Sequence, residues 1–143
     1  MAAHDSLRRV RLYEVYLRFG LERFVDACAA LPCLESVKLV YTHLERSALP
    51  QLARLLTACR TLTDLDINEH SDFIVGDGVA AFCSALADAP ALQTLSLHMG
   101  MITVSSTQEF HDAATGEAVL AALRQIPTFK TLKINNVTHE FGA

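Results

Sequence analysis

The residues that could do chemistry in this 143-residue chain are its six histidines and four cysteines. His43, His70 and His98 each follow a short alternating apolar segment, so they fall near one edge of a predicted sheet. A zinc site needs three or four ligands that converge at about 2.0–2.3 Å. Because the three histidines stand at different offsets from their segments, we interpret them as ordinary surface side chains. We predict no metal site and no cofactor.

The cysteines show neither zinc spacing nor a Cys-x-x-Cys pair. Cys28 and Cys83 lie on or beside the apolar side of predicted helices, and Cys33 and Cys59 at helix-to-strand junctions. We expect small buried apolar side chains, since a reactive thiol needs an exposed, electropositive site. Arg60, beside Cys59, is the one hint of such a site. Cysteine usage and the absence of a signal peptide favour a cytoplasmic, reducing location, with an organelle as the open alternative.

Sequence motifs for catalysis are missing. The chain contains no phosphate-binding loop, nucleophile elbow, zinc-protease helix or dinucleotide fingerprint. Gly76 and Gly78 precede a predicted helix, but no lysine accompanies them, so a helix-entry turn is the better interpretation. The net charge of −4 argues against a general nucleic-acid partner. No apolar run approaches the ~20 residues of a membrane span. We predict a protein that is not an enzyme and has no catalytic residue.

One repeated phrase organises the chain: three apolar residues separated by two residues and then by one. Its five copies begin at Leu7, Leu34, Leu62, Leu92 and Phe129. The end of each copy alternates like a short strand with one buried side. Each of the last four copies is preceded by apolar residues at helical spacing. Before the copy at Leu62, for example, these residues are Leu49, Leu52 and Leu56. The chain therefore alternates one strand with one helix.

This pattern resembles the leucine-rich repeat family, in its ribonuclease-inhibitor-like class. The resemblance rests on L-x-x-L-x-L and on segments such as Val75–Leu86, and it spans about Leu7 to Asn135. It implies an α/β leucine-rich repeat solenoid of about five repeats, with a short parallel sheet on the concave side and helices on the convex side. In this family an asparagine side chain usually fixes the backbone turn after each strand. Here that position departs from the pattern and is, for example, Thr42, so another group must hold the turn.

Residues 1–143 are predicted to form a single domain. The structural alternative is an array of helix hairpins, which explains the alternating segment Leu62–Ile67 poorly. The last strand is followed only by Asn136–Ala143, with no final helix and no polar cap. Bare end strands invite pairing with another chain. Either the chain is a fragment of a longer array, or it stacks end-on in an assembly.

Alternation along the strands also predicts a polar surface on the concave side. The candidate partner-binding residues on it are Arg9, Arg11, Lys38, Asp64, Asp66, Asn68 and His98. The basic residues come from the first two strands and the acidic residues from the third. Either neighbours pair laterally, as Lys38 with Asp66, or the surface is a bipolar patch that orients a charged partner. The residues leave both interpretations open.

Two neighbouring units are lengthened directly after their strands, and both insertions leave the same rim of the sheet. Insertions on one face of a repeat array often mark its binding side. His70, Phe73 and Phe110 are the candidate partner contacts there, with Glu69 among the polar residues of the rim. The alternative is that the two phenylalanines fold inward and hold their own loops.

The predicted function is non-enzymatic protein–protein interaction, as a scaffold, an adaptor or a subunit of a larger assembly. The resemblance implies that the protein partner is held on the concave strands or on the rim at their C-terminal ends. The alternative function is a GTPase-activating or ubiquitin-ligase substrate-receptor module of the same repeat class. Neither nucleic acid nor a membrane is an expected partner.

Overall fold

A computed structural model describes residues 6–17, 20–44, 48–69, 78–98, 113–135 and 137–141. Strands and helices alternate along the chain. The strands are β1 (Arg9–Tyr13), β2 (Ser36–Val40), β3 (Asp64–Asn68), β4 (Thr94–His98), β5 (Thr131–Ile134) and β6 (Val137–Glu140). The helices are α1 (Leu21–Ala29), α2 (Ala48–Ala58), α3 (Val79–Ala87) and α4 (Ala113–Arg124).

The strands form one sheet in sequence order, from β1 to β6. The first five are parallel, and their register aligns the middle apolar residue of each copy of the phrase. These aligned residues are Val10, Val37, Leu65, Leu95 and Leu132. The alternation of strand and helix and the register of these five strands confirm the sequence prediction for this part of the chain.

The predicted five-repeat solenoid with an all-parallel sheet is wrong. Val137–Glu140 form β6, which pairs antiparallel with β5, so the sheet is mixed and has six strands. The sequence prediction placed no strand after the fifth copy, because this segment lacks the apolar phrase and is only four residues long. The described part of the chain is a small α/β domain with four helices against that sheet.

β6 also closes the end of the sheet that the sequence analysis left bare. The Phe141 N–H donates to the Lys130 carbonyl at 2.7 Å. The Phe141 ring packs edge-on against Phe129, with 5.0 Å between the ring centroids. β5 therefore has a partner strand on both sides, and the apolar residue that begins the fifth copy is covered.

One hydrophobic core lies between the sheet and the helix layer. Among its largest fully buried side chains are Leu34, Leu39, Leu49, Leu52, Leu65, Ile67, Phe82 and Phe129. Each such side chain contributes about 1.5–3 kcal/mol relative to exposure. Each helix contacts its neighbours in sequence, so the units cover one another side by side.

Gly78 is the N-cap of α3 and lies at a close approach to α2. A Cβ atom added to Gly78 would lie 2.8 Å from the Leu49 Cβ and 3.4 Å from the Pro50 Cδ. The φ of Gly78 is −75°, which any residue adopts, so space rather than backbone conformation requires glycine. The helix-entry turn predicted from the sequence is therefore also a packing contact. Gly76 lies outside the described residues.

We expect Gly78→Ala to lower the free energy of unfolding by about 1–3 kcal/mol, because the added methyl group overpacks the contact with Leu49. Urea unfolding followed by circular dichroism measures the change. Gly20→Ala is the matched control, since a Cβ atom at Gly20 meets nothing within 4 Å. Equal effects of the two substitutions would contradict this account.

Candidate binding surface

The candidate binding surface is the side of the sheet opposite the core, which we call the polar face. The strand register arranges its side chains in two rows that cross all six strands. The first row is Arg9, Ser36, Asp64, Thr94, Thr131 and Glu140; the second is Arg11, Lys38, Asp66, Ser96, Lys133 and Thr138. Neighbouring strands lie about 4.8 Å apart, so adjacent members of a row can interact.

Lys38 and Asp66 form an ion pair across β2 and β3. The Lys38 Nζ lies 3.6 Å from the Asp66 Oδ2, and the two side chains keep 40% and 33% exposure. The lateral pairing suggested by the sequence is therefore present. Exposed pairs of this kind contribute about 0–1 kcal/mol to stability, so a partner that binds Lys38 or Asp66 breaks the pair at little cost.

Asp64 is held by a hydroxyl group. Its carboxylate accepts a hydrogen bond from the Thr94 Oγ1 on β4, while the Thr63 Oγ1, which donates to the Glu35 carbonyl at 3.0 Å, lies 3.4 Å from the Asp64 Oδ2. The acidic residues of β3 are thus fixed in place by side chains of the sheet itself.

The arginines of β1 are placed differently. Arg9 and Arg11 are exposed, and neither forms an ion pair with any residue that the structure describes. The adjacent Arg8 is engaged, since its Nη1 lies 3.0 Å from the Glu35 Oε1. The polar face therefore has an uncompensated basic side at β1 and a compensated acidic strand at β3.

The ends of the strands form a third row that is only partly polar. Asn68 and His98 are half-buried, while Tyr13 is exposed and meets the Tyr41 ring edge-on, with 6.2 Å between the centroids. Val40, which the alternation predicts on the exposed side, is instead buried. The row therefore offers fewer accessible contacts than the sequence suggested.

Three predicted contacts, His70, Phe73 and Phe110, lie outside the described residues. The rim that they belong to stays a prediction from the sequence. Within the described ranges, the structure brings together Arg9, Arg11, Lys38, Asp64 and Asp66 on the polar face.

Glu69 is not a rim contact but a buried structural carboxylate. Its Oε1 accepts hydrogen bonds from the Thr42 backbone N–H at 2.9 Å, from the Thr42 Oγ1 at 2.7 Å and from the Leu44 N–H at 3.4 Å. These bonds hold the turn after β2, where Tyr41 and His43 adopt positive φ angles of 54° and 59°. Glu69 thus supplies, from the neighbouring unit, the polar group that holds the turn at Thr42.

The cysteines fit the predicted structural role. Cys28 and Cys59 are buried in the core, whereas Cys33 and Cys83 are half-buried. Burial, with a smaller contribution from Cys59, raises the pKa of the Cys28 thiol to about 12. Burial also raises the pKa of Cys59, so Arg60 does not activate that thiol.

Among the described residues, no group of three His, Cys, Asp or Glu side chains could hold a metal ion. His43 stacks against Tyr16, with 4.7 Å between the ring centroids. No helix in the described part is long and apolar enough to span a bilayer.

We expect Glu69→Ala to lower the free energy of unfolding by about 1.5–3 kcal/mol, because it leaves buried donors at Thr42 without an acceptor. Glu35→Ala is the matched control: it removes an exposed carboxylate paired with Arg8, which contributes about 0–1 kcal/mol. Urea unfolding of both variants gives the comparison. A Glu69 variant as stable as the Glu35 variant would show that the turn does not depend on this carboxylate.

Comparison with solved structures shows the fold. The structure titled Leiomodin-1 Actin-Binding Site 2 matches with a TM-score of 0.70 and 19% identity, over 90% of this chain and 70% of that chain. A Caenorhabditis elegans tropomodulin C-terminal domain matches with a TM-score of 0.45 and 14% identity, over 85% and 84%. No protein-family profile matches the chain, and no curated protein matches it by sequence.

The predicted membership of the leucine-rich repeat family, in its ribonuclease-inhibitor-like class, is therefore wrong. The leiomodin-1 domain is a solved structure that shares the fold, and the six-stranded sheet of this chain is mixed and not all parallel. The L-x-x-L-x-L phrase misled because any short parallel strand with one buried side, backed by a helix, favours the same alternation. The comparisons assign to this chain a small α/β fold with a six-stranded mixed sheet, similar to that of the leiomodin-1 actin-binding domain.

Proposed function

We propose that this chain is a non-enzymatic protein-binding domain that uses its polar face. The observation that carries the proposal is the arrangement of that face: two rows of mostly exposed or half-exposed polar side chains on a hydrogen-bonded sheet. A sheet holds such side chains in place before binding, so the ordering cost on association is small.

Charge gives the polar face a direction. Arg9 and Arg11 form a basic side, and Asp64 and Asp66 lie two strands away. Complementary charges on a partner would fix its orientation on this surface more than they would raise its affinity. The bipolar interpretation and the lateral pair of Lys38 with Asp66 are compatible, because that exposed pair is weak.

Actin is the first partner to test, because one structure that shares this fold is titled an actin-binding site. The finer roles of scaffold, adaptor or assembly subunit remain predictions from the sequence, as do the GTPase-activating and ubiquitin-ligase alternatives. We expect a cytoplasmic location, since all four cysteines are free and unpaired thiols persist in a reducing compartment.

We expect the double substitution Lys38→Asp with Asp66→Lys to weaken actin binding about tenfold or more, a loss of ~1.4 kcal/mol. The exchange keeps the lateral pair and the net charge but inverts the two charges at the centre of the polar face, while Arg9, Arg11 and Asp64 stay unchanged. Co-sedimentation with filamentous actin and a titration of labelled monomeric actin measure both forms of the partner.

The matched control is Asp26→Arg with Arg54→Asp, which exchanges an ion pair on the helix side, where the Arg54 Nη1 lies 2.5 Å from the Asp26 Oδ1. This control variant should bind like the native chain. Absence of actin binding by the native chain would exclude actin as the partner. Equal binding by both exchanged variants would exclude the polar face.

A further inference from the structure

The outer edge of β1 carries backbone groups that the described residues leave unpaired. β1 ends the sheet, and β2 is the strand that pairs with it. The Arg8 carbonyl accepts from the Ser36 N–H, and the Glu14 N–H donates to the Val40 carbonyl, both at 2.9 Å. Because backbone groups alternate sides along a strand, those of Val10 and Leu12 also face β2. The N–H and C=O groups of Arg9, Arg11 and Tyr13 therefore point away from the sheet.

Apolar exposure is concentrated at the same edge. The large hydrophobic side chains that are exposed in the described structure are Leu7, Tyr13, Val15 and Tyr16, with 40–57% exposure. Val10 and Leu12 are half-buried, whereas their partners on β2, Val37 and Leu39, are 0% exposed. The core is thus incompletely covered on one side, and an additional strand would complete it.

Charge defines what kind of strand fits. Arg9 and Arg11 alternate with Val10 and Leu12 along β1, and neither arginine has an ion-pair partner in the described ranges. Of the nearby carboxylates that the structure describes, Glu35 is engaged by Arg8 and Asp66 by Lys38, which leaves Glu14, just beyond the end of the strand. An incoming strand would meet basic side chains on the polar face and apolar side chains on the core side.

We propose that the β1 edge binds an extended acidic segment of a protein partner, which adds to the sheet as a further strand. Its acidic residues lie beside Arg9 and Arg11, and the apolar residues between them cover Val10 and Leu12. Main-chain hydrogen bonds to Arg9, Arg11 and Tyr13 give affinity, and the alternating side chains give specificity. The proposal goes beyond the polar-face function, because it depends on the backbone edge of one strand.

Two registers of self-pairing make a second copy of this chain a poor occupant of the edge. Antiparallel pairing about a two-fold axis at Arg11 places the two Arg11 side chains opposite each other. Pairing about an axis at Val10 places each Arg9 opposite an Arg11. Like charges directly opposite on paired strands are destabilising, so an acidic strand is favoured over self-pairing in these two registers.

The test uses a labelled peptide with the sequence Glu-Val-Glu-Val-Glu-Val-Glu, blocked at both ends, and measures fluorescence anisotropy with the full chain. A lysine-for-glutamate version is the charge control. A version N-methylated at every second residue is the backbone control. We expect the glutamate peptide to bind at least tenfold more tightly than either control. It should slow hydrogen exchange of the Arg9, Arg11 and Tyr13 amides.

Arg9→Glu with Arg11→Glu should reverse the preference, so that the lysine peptide binds and the glutamate peptide does not. This gain of binding cannot arise from misfolding. Binding of the glutamate and N-methylated peptides with equal affinity would overturn strand addition, and so would binding without amide protection. Protection of the three amides in the free chain would also overturn the proposal, since a second copy or the chain itself would already cover the edge. The N-methylated peptide keeps its glutamate side chains, so it can still bind the charges of the polar face. If it binds as well as the unmethylated peptide, the β1-edge proposal fails while the proposed polar-face function stands.

Discussion

The constraint on which this structure depends is that each short strand buries one side and must be covered by its neighbours. The effect is visible by comparing aligned residues. Val37 and Leu65, with a strand on each side, are 0% and 1% exposed, whereas Val10 at the sheet edge remains half-buried. A strand of five residues cannot cover its own apolar side, so stability comes from the alignment of units. The same alignment sets the two rows of the polar face, which links the packing of the core to the candidate function.

The register is maintained past the ends of the strands by polar contacts between units. The Tyr41 N–H donates to the Asn68 carbonyl and the Glu69 N–H to the His98 carbonyl, both at 2.8 Å, so the ladder continues into the turns. The Glu69 carboxylate then satisfies the donors at Thr42, where the backbone turns through positive φ. A buried carboxylate is stable there because it accepts several hydrogen bonds at once. The positions of Asn68 and His98 at the end of the polar face therefore depend on a residue that is not part of the surface.

Alternating apolar residues are a local signal, and they were sufficient to predict the first five strands and their register. They also offered the pair of Lys38 with Asp66 as one of two interpretations. The prediction failed where the cause is not local. β6 is a strand because β5 offers it an edge and Phe129 offers Phe141 a surface, and neither can be read from four residues. Glu69 resembles any polar residue after a strand, and its role appears only once Thr42 of the preceding unit lies beside it. The family assignment failed because the apolar phrase reports the environment of a strand, which unrelated chains can share.

The two ends of the sheet show why charge and packing act together at β1. At the other end, an antiparallel strand and an aromatic contact close the core. At β1 the apolar side chains stay partly exposed, and the arginines beside them have no compensating charge among the described residues. Asp66 lies two strands from Arg11, about 9.6 Å away at the usual strand spacing, which exceeds the screening length of about 8 Å at physiological salt. Lys38 stands between them and pairs with the Asp66 carboxylate, while Glu35 pairs with Arg8, so neither of these two carboxylates compensates the positive charge of Arg9 and Arg11 at the β1 edge.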